Sequence, residues 1–236
     1  MTTKRILTMG SSAKPSSGGD SADGVFAFPL ALSLASPHQQ LFVSLHETTR
    51  PSRLFALLKD KPELCCCRAE KFISLNQLVA AANATVAGWS SSSAWDVLYK
   101  ASPSTHRGHV MDRFSFGNAG ESQLDNTDEG PSTAQPEFVL LIHVGAGDTT
   151  AEQYLETISS LTNEGGGTDI RIASDGEGTR TEALVSHPMD IRAFFGGIQS
   201  SRSEWFRKEY KLSMEDIEKS SLEDAVLSKV AAKYVM

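Results

Sequence analysis

The run Phe138-Val139-Leu140-Leu141-Ile142-His143-Val144 constrains the fold more than any other stretch of this chain. Successive strand residues point to opposite faces, so an almost continuously apolar run needs cover on both sides, which places it inside a sheet with helices packed against it. Other segments supply partners for it. Leu41–Leu45 reads as a second strand and Cys65–Cys67 as a third, short one. Thr48–Lys59, with Leu54, Phe55, Leu57 and Leu58, reads as a helix that Pro62 ends. Ser74 is placed to cap a helix whose apolar positions Leu75, Leu78, Val79, Ala82 and Val86 recur at intervals of three and four. His109–Phe114 and Thr150–Leu161 read as further helices, and Ser221-Leu222-Glu223-Asp224 has the capping-box pattern of a terminal one. Strands interspersed with helices predict an α/β (α+β) class, as a single compact domain with a small mixed sheet.

With 236 residues, 40% of them apolar, one core of ordinary size can be buried. The expected division is a weakly ordered extension over 1–37, because Met9–Gly24 is rich in Gly and Ser, and a domain over 38–236. Two acidic, Gly-rich loop insertions are expected at about 117–136 and 163–182. The formal net charge of −7 argues against a protein that grips nucleic acid over a broad face. Positive charge is concentrated between Arg50 and Lys71, so any such contact belongs there. Val25–Ala35 is too short and interrupted for a membrane span, and no membrane association is expected. Cys65, Cys66 and Cys67 are consecutive, point alternately to opposite faces and cannot converge on a metal, which fits thiols in a reducing compartment.

Catalytic signatures are scarce. No nucleophile elbow, paired-histidine zinc motif or Cys–His context is present, and no metal or cofactor is expected. Gly145-Ala146-Gly147 stands between a strand and a helix, where a phosphate-cradling loop would sit, but Thr150 occupies the third glycine position of the dinucleotide fingerprint. A tight turn explains those glycines as well as a nucleotide does. His143 reads as a satisfied core histidine.

Three segments, taken in order, resemble the TPRKB family, the PRPK-binding subunit of the EKC/KEOPS complex. They are Ile73–Val86 (ISLNQLVAAANATV), Asp96–Phe114 (DVLYKASPSTHRGHVMDRF), where the family pattern places an apolar strand, a turn and a helix, and Glu209–Val235 at the C-terminus. The resemblance implies a non-catalytic adaptor that binds a PRPK-type atypical kinase, meets the threonylcarbamoyl-transferase subunit indirectly and supports threonylcarbamoyladenosine modification of tRNA. It also implies a cytoplasmic and nuclear location. Carried onto this chain, the kinase-binding residues are Val110, Met111, Phe114, Leu222, Val226 and Val230, as one apolar helical stripe. The candidates for holding the tRNA acceptor end are Arg50, Arg53, Lys59, Lys61 and Lys71. Ser90–Ser93 stands where relatives carry basic residues, a departure that bears on the tRNA contact. An unrelated interaction module, or an enzyme using the Gly145–Gly147 loop, are the alternatives.

Overall fold

The computed structural model describes residues 21–22, 24–30, 39–87, 93–117, 136–164 and 184–233. Five strands form one sheet: β1 (Ser21–Ala22), β2 (Val25–Pro29), β3 (Gln39–Thr48), β4 (Leu64–Arg68) and β5 (Glu137–Ala146). Their spatial order is β1-β2-β3-β5-β4. The long pair β3 and β5 runs in register from Gln39 opposite Ala146 to Thr48 opposite Glu137. The α/β class is as the sequence indicates, but the sheet is antiparallel at every described pairing rather than mixed. The apolar run in β5 suggests parallel neighbours because such strands are covered on both faces. Here an antiparallel sheet is covered on both faces, so the same composition serves.

One face is formed by Phe26, Leu41, Val43, Leu45, Cys65, Cys67, Leu140, Ile142 and Val144. It packs on α2 (Leu75–Val86), α3 (Ala94–Ala101), α4 (Arg107–Phe114) and α6 (Ile191–Ser201). The other face, with Val25, Phe42, Leu64, Cys66, Val139 and Leu141, packs on α1 (Pro51–Leu58) and α5 (Ala151–Glu164). Each large aliphatic side chain removed from water contributes about 2 kcal/mol, which makes this double cover the main source of stability. The three thiols divide between the faces as their alternation requires, and all are buried.

Three sequence expectations need correction. Val25–Pro29 lies within the extension expected over 1–37, yet it is a strand of the sheet, with Val25 and Phe26 buried. Its apolar residues gain on β3 what the Gly/Ser-rich stretch before them lacks. Trp95–Tyr99, an apolar strand in the family pattern, is helical within α3, because Ser93 caps it by accepting from the Asp96 amide and its apolar positions face one side. His143 is half-buried beside the Glu63 backbone, and its Nδ1 has no hydrogen-bond partner among the described residues, so it is not a fully satisfied core histidine. The acidic insertions fall, save their end residues, outside the described residues.

The C-terminal helices form a layer of their own. α7 (Ser203–Glu209), α8 (Met214–Lys219) and α9 (Leu222–Ala232) enclose a separate cluster of Ile73, Phe206, Tyr210, Leu212, Ala225, Val226 and Val230. The capping boxes Ser213–Asp216 and Ser221–Asp224 start α8 and α9. α7 ends in a Schellman turn, with the Leu212 amide donating to Arg207 O and the Lys211 amide to Lys208 O. Lys211 takes the left-handed conformation, φ 51°, where glycine is usual.

Candidate functional site

The functional question centres on how the C-terminal layer joins the rest, because the three segments carrying the family resemblance meet there. Gln77 is a polar residue on the buried side of α2, in step with Leu78, Ala81, Ala82 and Thr85. Its backbone position is fixed by Ser74, which caps the helix. Its side chain has no exposure and is fully bonded: Oε1 accepts from the Ile73 amide at 2.9 Å, and Nε2 donates to Ala101 O at 2.7 Å and to Tyr210 Oη at 2.6 Å. Tyr210 Oη also donates to Ala101 O at 3.3 Å. One amide therefore ties α2, the end of α3 and the end of α7. A buried network is favourable only when every member is partnered, and this one is.

A second tie closes the far end of the layer. Lys233, just past α9, donates from Nζ to Tyr99 O at 2.7 Å, to Ser102 O at 3.2 Å and to Ser104 O, and lies 4.0 Å from the centroid of the Tyr99 ring. These carbonyls belong to the end of α3 and the turn after it, where an ammonium is favoured. Burial pulls Lys233 down to about 8, and the carbonyls oppose that by holding the charged form. Asn76 and Gln199 both donate to the Glu223 carboxylate, at 3.0 and 3.4 Å, adding α6 to the joint.

The kinase-binding candidates do not form one stripe. Val110 and Phe114 belong to the sheet-facing core, whereas Val226 and Val230 belong to the C-terminal cluster, and all four are at most 2% exposed. Helical spacing puts apolar residues on one side of a helix; it does not say whether that side meets a partner or the chain's own core. Met111 and Leu222 are half-buried. Among the described residues the large apolar side chain most open to water is Met214, 57% exposed, at the first position of α8.

The cation candidates also separate. Arg50 stands just before α1 and Arg53 within it, with Lys59 and Lys61 past its end, over the face that Leu54 and Leu58 help close. Lys71 lies beyond β4 and its Nζ sits 4.6 Å from the Trp205 ring centroid, against the C-terminal layer. The sequence clusters them; the fold puts β4 between them.

The Gly145–Gly147 turn is closed on itself. Thr149 N donates to Ala146 O at 3.0 Å, and Gly147 O accepts from Gln40 Nε2 at 2.9 Å. At the start of α5, Thr150 N donates to Gln153 Oε1 at 2.8 Å, and Gln153 N to Thr150 Oγ1 at 3.2 Å. Two of the amides that could face a phosphate, those of Thr149 and Thr150, are already used. A depression of about 710 Å³ beside the turn is lined mainly by Pro29, Leu30, Gln39, Ala146 and Asp148.

Ser44 and His46, two apart on β3, share a face, and their polar atoms meet at 2.7 Å. His46 Nδ1 donates to Ser186 O at 2.8 Å, which leaves Nε2 to accept from Ser44. Tyr154 Oη reaches Ser44 Oγ at 2.9 Å and Leu141 O at 3.0 Å. The pair looks like a nucleophile and its base, but Ser44 is wholly buried and His46 only 1% exposed, so it is a bonded core group with no path for a substrate. Burial lowers the His46 pKa against the opposing Ser186 carbonyl, and lowers that of His143 against Glu63. The thiols are pushed up by burial, Cys66 to about 12, the reverse of a reactive cysteine. Among the described residues no group of three or more His, Cys, Asp or Glu side chains could hold a metal, and no helix is long and apolar enough to cross a membrane.

The sequence reading missed the role of Gln77 and the tie made by Lys233. A polar residue inside an apolar stripe was a readable signal for the first; for the second, three carbonyl acceptors gathered by a turn leave no trace in composition. Fold and site together define an antiparallel-sheet α/β domain with a C-terminal helical layer fastened by buried polar ties. No protein-family model matches the chain, and no curated protein matches it.

Proposed function

We propose that the protein is a non-catalytic adaptor of the EKC/KEOPS type, which binds a PRPK-type atypical kinase through its C-terminal helical layer and so supports threonylcarbamoyladenosine modification of tRNA. The observation that carries this reading is the joint at Gln77. The segments Ile73–Val86 and Asp96–Phe114 are near each other in sequence and Glu209–Val235 is far from both, yet Gln77, Ala101 and Tyr210, one from each, converge in a single buried network. A resemblance confined to residues that build one unit together is better founded than three unrelated likenesses. The contact face is the outer side of α8 and α9, where Met214 is exposed and Ile217 and Leu222 are half-buried. Arg53, Lys59 and Lys61 on and after α1 are the residues available to a tRNA acceptor end, and among the described residues none of the three forms an ion pair.

The test is affinity purification of the tagged full chain from its own cells, with identification of what is retained. A small atypical kinase together with a threonylcarbamoyl-transferase subunit is the expected result. Their repeated absence, under conditions that keep known complexes whole, would reduce the resemblance to local similarity.

A further inference from the structure

Positive charge gathers at the turn after β4. Arg68 ends β4, Lys71 closes the turn that follows, and Arg202 stands between α6 and α7. Arg68 donates from Nη1 to Glu137 Oε2 at 2.7 Å and from Nε to Ser115 O at 3.0 Å. Lys71 and Arg202 are less closely held. The nearest carboxylate oxygen to both is Glu70 Oε1, at 3.6 Å from Lys71 Nζ and 3.8 Å from Arg202 Nη1. Both are long ion pairs to one and the same carboxylate oxygen, beyond the usual hydrogen-bond distance. Even so, the Lys71 side chain is only 19% exposed. It is held over Trp205, whose ring is itself fixed by Phe206 at 5.0 Å and Phe114 at 6.4 Å.

Two cations sharing one carboxylate leave a local excess of positive charge, and the largely buried Lys71 is the one that water serves least. An oxyanion with several acceptor oxygens supplies what is missing, through charge-assisted hydrogen bonds from two sides. We propose that Lys71 and Arg202 form a seat for a phosphate-class oxyanion, with Trp205 as its floor and Glu70 as an internal competitor. Burial pulls the Lys71 ammonium below the usual lysine range; Glu70 opposes the fall, and the neighbouring Arg202 and Arg68 add to it. The seat shares Lys71 with the tRNA candidates carried from the resemblance, but it needs neither a kinase contact nor the cations of α1.

The experiment is calorimetric titration of the full chain with inorganic pyrophosphate at constant ionic strength, with acetate as the comparison anion. Saturable one-site binding of pyrophosphate, and none of acetate, is expected. Lys71→Met, which keeps the stem over Trp205, and the more exposed Arg202→Gln should each weaken binding about tenfold or more, the effect of losing one charge-assisted bond. Glu70→Gln should tighten it several-fold, and Arg192→Gln at the far end of α6, where the guanidinium lies over the Phe26 ring, should leave it unchanged. Absence of saturable binding to the wild-type chain, an equal loss in Arg192→Gln, or a loss in Glu70→Gln would overturn the proposal. Competition by a short single-stranded RNA would assign the seat to a backbone phosphate, and lack of competition to a free phosphate; both keep its chemistry.

Discussion

The sheet and the C-terminal layer are held together in different ways. Around β3 and β5, aliphatic and aromatic side chains are covered on both faces, and stability is spread over many contacts. The layer of α7, α8 and α9 has a small apolar cluster of its own and is fastened to α2 and α3 by directional bonds at Gln77, Tyr210 and Lys233. Area tolerates small errors, because each contact is minor; directional bonds concentrate the effect on a few atoms. The layer should therefore loosen as a unit while the sheet persists.

The largest expected effect tests that separation directly. Val226→Asp puts a carboxylate into a site with no exposure and should remove about 4 kcal/mol or more, read by denaturant titration. Hydrogen exchange should then rise in α7 to α9 while β3 and β5 stay protected. Leu140→Ala, in the middle of β5, should cost about 3 kcal/mol and raise exchange throughout the chain. If both variants open the same amides, the molecule is one cooperative unit and the contrast fails.

A smaller effect sharpens the account of the joint. Tyr210→Phe keeps the ring and removes one hydroxyl, so Gln77 retains Ala101 O and loses its other acceptor. About 1–2 kcal/mol should be lost, again mainly from the layer. The sheet has its own polar feature to set beside it. Because burial lowers the folded-state pKa of His46 below its ordinary 6.5, the unfolded chain takes up the proton first as pH falls. Stability present above that value should drain away below it, with His143 adding in the same direction. His46→Asn should make the loss between pH 7 and pH 5 shallower, which thermal melts across that range would reveal; an unchanged slope would exclude His46 as a source. The smallest effect is a gain. Lys211→Gly relieves a left-handed residue in the Schellman turn and should raise stability by up to about 1 kcal/mol.

Most of the scaffold was legible in the sequence because its signals are local. The apolar run of β5, the Ser74 and Ser221 caps and the three-and-four spacing of α2 each specify an element without reference to distant residues. What failed to show depends on partners far along the chain. Val25–Pro29 becomes a strand only beside β3, and Trp95–Tyr99 has strand-like composition that its cap and packing override. α6 carries Gly196 and Gly197, which weaken its helical signal. The site was legible only in outline: the stripe on α9 is real, but Val226 and Val230 spend it on the chain's own core. Gln77, quoted within a resembling segment, acquires its meaning from Tyr210 at the other end of the sequence.

The central claim is that the helical layer is the surface by which this chain engages a kinase. Its most direct test is hydrogen exchange of the purified chain with and without a purified PRPK-type kinase. Slowed exchange in α8 and α9, around Met214 and Leu222, with α1 and α5 unchanged, is the expected result. No change anywhere, or slowing confined to α1 and α5, would contradict it.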